Sequence, residues 1–87
     1  MGPDADALDD APLMAALSAK GRKRSVLIAG HATSITLEDP FWDALKSLAR
    51  AKGVTLPRLI EDIDERRGTN LSSALRLYVL YHLEQRP

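Results

Sequence analysis

Residues 25–37 read Ser-Val-Leu-Ile-Ala-Gly-His-Ala-Thr-Ser-Ile-Thr-Leu, rich in β-branched side chains and poor in helix formers. The second half alternates. Thr33, Ile35 and Leu37 share one face of an extended chain, and Ala32, Ser34 and Thr36 share the other. The first half, Val26 to Ala29, is apolar on both faces. Gly30-His31 stands between them. Glycine at the first central position suits a two-residue type II′ turn, so the stretch reads either as a local hairpin or as one long strand kinked at Gly30.

A strand must find partners for its amides and carbonyls. Everything after Leu37 reads as helix, so the partner is either the upstream half, folded back at Gly30, or the same strand of a second chain. A lone two-stranded ribbon is marginal, whereas antiparallel pairing about a two-fold axis satisfies the ladder and pools two small cores. The expectation is a homodimer. A chain of 87 residues has little core of its own, which favours the same conclusion.

Downstream, the start and stop signals of helices are plain. Asp39 suits an N-cap, with Pro40 in the first helical position. Phe41, Trp42, Leu45, Leu48 and Ala49 then recur at helical spacing until Gly53 ends the helix. Thr55 caps a second helix with Pro57 in its first turn; Leu56, Leu59, Ile60 and Ile63 form its buried stripe, and Glu61, Asp62, Asp64 and Glu65 its wet one. Asn70 caps a third, from about Leu71 to Leu83, which is apolar over more than half its circumference. Such a helix is expected to be buried on two sides, which points to an interface.

Upstream, Ala7–Leu8 and Pro12–Leu17 read as transient helix in a flexible arm, and Lys20-Gly21-Arg22-Lys23-Arg24 as a basic linker. The balance of twelve basic and twelve acidic residues hides this asymmetry. Residues 1–19 carry four acids and no base, and residues 20–24 four bases and no acid.

The order strand, capped helix, glycine turn, threonine-capped helix resembles the ribbon-helix-helix DNA-binding domain. The residues that carry the resemblance are Ser34-Ile35-Thr36-Leu37-Glu38, Phe41-Trp42-Asp43-Ala44-Leu45 and Gly53-Val54-Thr55-Leu56. Ala29-Gly30-His31 and Asn70-Leu71-Ser72-Ser73-Ala74-Leu75-Arg76 are similar to a bacterial branch of that family. The resemblance covers roughly residues 24–83 and implies a mainly α fold with a short β-ribbon: an intertwined ribbon-helix-helix homodimer plus a third, C-terminal helix. The expected parts are a flexible acidic arm and basic linker over 1–23, the domain over 24–83 and a tail over 84–87.

The resemblance further implies that the paired strands lie in the major groove of double-stranded DNA, with Ala32, Ser34 and Thr36 facing the bases. Thr55, Leu56 and Arg58, at the start of the second helix, would hold a phosphate, although Pro57 has no amide to give. Lys20, Arg22, Lys23 and Arg24 are the expected phosphate donors of the arm. Ile35, Leu37, Trp42, Leu45, Leu59, Ile60 and Ile63 would form the dimer core. The base-facing side chains are unusually short. Bidentate base reading wants Arg, Lys, Asn or Gln, so phosphates would have to supply most of the affinity.

Other classes find little footing. The chain has no cysteine, and His31 and His82 lack the carboxylate or histidine neighbours of a ligand set, so no metal is expected. The carboxylates of 61–65 read as a wet helix face. No glycine-rich phosphate loop or nucleophile elbow is present, so neither a cofactor nor an enzymatic role is expected. No apolar run approaches a membrane span, and the first residues lack the basic start of a secretory signal. The reading is a bacterial, cytoplasmic DNA-binding regulator or antitoxin-like protein, with higher oligomers through the third helix. The competing reading keeps the fold but makes it a protein-interaction module.

Overall fold

The computed structural model describes residues 10–85. Helix α1 spans Ala11–Leu17, strands β1 and β2 span Gly21–Ile28 and His31–Glu38, and helices α2, α3 and α4 span Asp39–Lys52, Leu56–Arg66 and Leu71–Glu84. Residues 1–9 and 86–87, which include Ala7–Leu8 of the expected arm and the end of the expected tail, lie outside the described residues. No helix among the described residues is long and apolar enough to cross a membrane.

β1 and β2 form an antiparallel two-stranded sheet, from Gly21 opposite Glu38 to Ile28 opposite His31. Of the two readings of Gly30, the chain takes the hairpin. The turn differs from the type expected. Its central residues are Ala29 and Gly30, at φ 51° and 83°, so both are left-handed as a type I′ turn requires. That turn matches the right-handed twist of the flanking strands, and Glu61 of α3 accepts a hydrogen bond from the Ala29 amide at 2.8 Å. The first partner of β2 is thus its own upstream half, not a second chain. Its other edge carries no strand among the described residues.

The expected linker is also corrected. Residues 21–24 are strand, because all eight residues of β2 find a partner in β1. Gly21 packs closely there: a Cβ atom would lie 2.7 Å from the Thr36 methyl group, which would have to shift.

Alternation assigns the hairpin's faces. Ile28, Ile35 and Leu37 are buried against the helices, with Arg24, Val26 and Thr33 half-buried beside them. Leu45 and Ala49 of α2, Leu59 and Ile60 of α3, and Leu75 and Val79 of α4 complete the core. Ile35, Leu37, Leu45, Leu59 and Ile60, expected in a dimer core, are therefore already buried within one chain, with Trp42 and Ile63 packed against them.

The helix ends follow local chemistry. Gly53 closes α2 in the left-handed conformation, at φ 73°. Thr55 and Asn70 cap α3 and α4, accepting from the amides of Arg58 at 3.3 Å and Ser73 at 2.9 Å. The cap of α2 is Glu38 rather than Asp39, and neither makes a side-chain cap bond. Asp39, one residue inside the helix, accepts instead from Arg22 and Arg24, two cations that add Coulombic attraction to the hydrogen bonds.

α4 buries Ala74, Leu75 and Val79 but leaves Leu77, Leu80, Tyr81 and Leu83 about half exposed. The two-sided burial expected of it is one-sided within a single chain.

Candidate functional site

The hairpin face turned away from the helices is exposed along its length. β2 contributes Ala32, Ser34 and Thr36, all exposed. β1 contributes Lys23 opposite Thr36, Ser25 opposite Ser34, and Leu27 opposite Ala32. The structure thus brings the three expected base-facing residues together in one row and sets a second row beside them. No apolar–polar alternation within Arg22–Ile28 marks that second row: Arg22–Arg24 reads as linker and Val26–Ile28 as apolar on both faces.

The four expected cations of the arm separate. Lys23 stands on the outward face and Lys20 just before the strand. Arg22 and Arg24 lie on the helix side of β1. The Arg24 guanidinium donates through Nε and Nη2 to the Leu37 carbonyl, at 3.3 and 3.2 Å, and pairs with the Asp39 carboxylate. Its Cζ sits 4.8 Å from the centre of the Trp42 ring. With only 14% of its side chain exposed, Arg24 is sequestered by groups that satisfy its charge. Arg22 bonds the same carboxylate through Nη1 at 3.1 Å but stays 67% exposed. The Arg24 hydrogen bond, seconded by the nearby Arg22 charge, holds the Asp39 carboxyl below its usual range.

At the start of α3, the Arg58 amide is taken by Thr55 and the Arg58 guanidinium by Asp62 at 3.2 Å. The Thr55 and Leu56 amides have no backbone acceptor among the described residues. Both lie at the positive end of the α3 dipole.

Over this hairpin and the helices behind it, the ribbon-helix-helix domain model matches residues 21–83. The chain belongs to the ribbon-helix-helix family. Ribbon-helix-helix domains are in general DNA-binding regulators of transcription, so the polar outward face and the start of α3 are the surfaces of interest in this ribbon-helix-helix protein. The match starts at the first residue of β1 and ends within α4, so the hairpin's upstream strand and the third helix belong to the domain. No curated protein and no solved structure matches the chain.

Proposed function

We propose that the chain binds double-stranded DNA as a homodimer in which two β2 strands pair through their free edges. The observation that carries this reading is the state of β2: one edge is filled by β1, the other has no strand among the described residues, and between them lies an exposed polar face backed by a buried apolar one. Two-fold pairing of β2 gives a four-stranded sheet with the β1 strands outermost.

Dimensions favour a division of labour. Three inter-strand spacings of about 4.8 Å make such a sheet roughly 14 Å wide between outer strands. The major groove is about 12 Å wide. The central β2 pair fits the groove floor, with Ala32, Ser34 and Thr36 against base edges, while the β1 strands straddle the phosphate walls. Lys23 and Lys20 then act as phosphate ligands, joined by the Thr55 and Leu56 amides and the exposed Arg58. Arg24 is better assigned to holding β1, β2 and α2 together. With only short side chains on the floor, sequence preference is modest and affinity depends steeply on salt.

Oligonucleotides selected from a random pool, titrated across salt beside a mass measurement in solution, test the proposal. Retention of a short two-fold symmetric site by a dimer supports it. A monomer in solution, or binding indifferent to salt, would falsify it. The competing reading, a protein-interaction module on the same fold, is favoured by Leu27, which stands 63% exposed in the outward face. A dimer that retains no oligonucleotide at low salt would select that reading.

A further inference from the structure

Beside α3 and α4, near the C-terminal end of α2, lies an open groove of about 600 Å³. Val54, Leu59, Ile63, Leu77, Tyr78 and Tyr81 supply its apolar lining. Its charged lining is Lys52, Arg66 and Arg67 against a single carboxylate, Asp62. Asp62 is engaged by Arg58, and Arg67 pairs with Asp64 at 2.7 Å. Lys52 and Arg66 make no ion pair among the described residues. The groove is therefore apolar inside and net cationic at its edge.

A second surface in the same chain has the opposite character. No residue of α1 is buried, and Met14 and Leu17 are 48% and 62% exposed. Leu13, Met14 and Leu17 share one side of the helix at i, i+4 and i+3 spacing. The sequence around them is acidic: Asp4, Asp6, Asp9 and Asp10 precede the helix, and the first base is Lys20. In its own chain α1 packs substantially on no other element and contributes nothing to the groove. Each surface lacks what the other offers, apolar area for apolar area and acid for base.

We infer that the groove receives the α1 segment of a second copy of this chain, with Leu13, Met14 and Leu17 on the apolar lining and the preceding acids against Lys52, Arg66 and Arg67. The contact uses no residue of the outward hairpin face and does not rest on DNA binding. It joins chains through an exchanged arm rather than through β2. It also gives the exposed side of α4 a partner of defined chemistry.

The absence of native cysteine makes the test direct. Full-length Met14→Cys and Tyr81→Cys variants are mixed under oxidised glutathione, and disulfide-linked species are resolved by mass. Both positions are exposed, so the fold tolerates the changes. A docked arm holds the thiols together, so the mixed species forms about tenfold or more faster than that from Met14→Cys with Lys46→Cys, an exposed control on α2. Raised salt should shrink the advantage, because part of the attraction is between exposed charges. Equal rates for the two pairs overturn the inference. So does faster self-linkage of Tyr81→Cys, which would mean that the groove faces another groove. Closure within one chain of the double variant at high dilution overturns it too, by placing the arm on its own groove. Failure of DNA binding would leave all of these readouts unchanged.

Discussion

Arg76, on α4, grips Glu38, the last residue of β2 and the cap of α2, in a two-point ion pair: Nε to Oε1 at 3.0 Å and Nη2 to Oε2 at 3.2 Å. One pair thereby ties the third helix to the junction of ribbon and first core helix. The planar fork of arginine suits this geometry and a lysine ammonium does not. Arg76→Ala should lower stability by roughly 1 kcal/mol, and Arg76→Lys should restore only part of that. Urea midpoints of the two variants decide it; full rescue by lysine would reduce the pair to a simple charge contact.

The same junction sets the response to acid. The Arg76 hydrogen bond holds the Glu38 carboxyl below its ordinary range, as Arg24 does for Asp39. In the unfolded chain both titrate near about pH 4, so that chain takes up protons first as pH falls. The stability from these groups is present above about pH 4.5 and drains away as pH drops through their lowered folded values. Between about pH 5 and pH 3 the wild-type urea midpoint should fall more steeply than that of Glu38→Gln/Asp39→Asn, which starts lower. Parallel slopes would place the acid sensitivity elsewhere.

Ala29 holds φ 51°, a conformation that a methyl side chain disfavours and asparagine tolerates. Ala29→Asn completes the Asn-Gly pair favoured in type I′ turns and should raise stability by roughly 0.5–1 kcal/mol. Gly30→Ala should lower it by about 1 kcal/mol, since Gly30 is left-handed too. Thermal unfolding of both variants is the check. Destabilisation by asparagine would argue against the turn.

The Tyr78 hydroxyl is buried with no hydrogen-bond partner among the described residues. Removing an unsatisfied buried group relieves its desolvation cost. Tyr78→Phe should therefore leave stability unchanged or raise it by up to about 1 kcal/mol. A loss of that size would show that the hydroxyl is bonded in the folded protein.

Lys23 and Arg24 are sequence neighbours on opposite faces of β1, and their alanine variants should differ in kind. If DNA is bound as proposed, Lys23→Ala removes one phosphate contact per subunit. The slope of log affinity against log salt should then shrink by about 2 for a dimer, with folding intact. Arg24→Ala should chiefly lower the unfolding midpoint. Identical effects on DNA binding would mean that Arg24 leaves Asp39 to reach a phosphate.

The helices were legible in the chain because their signals are local. Proline in the first turn of α2 and α3, Gly53 and Gly68 after them, Asn70 before α4, and apolar residues every three or four positions define these helices without distant contacts. Alternation over 32–37 likewise assigned Ile35 and Leu37 to the core face and Ser34 and Thr36 to the other. Local pattern therefore reaches as far as the class of fold and the faces of β2. Contacts made in the folded chain settle that residues 21–24 are strand, that Asp39 serves arginines rather than a helix amide, and that the turn is centred on Ala29 and Gly30. Each of these is a choice among partners far apart in sequence, across the hairpin or between Ala29 and Glu61. Competition of that kind is settled by geometry in three dimensions, and no periodicity along the chain records it.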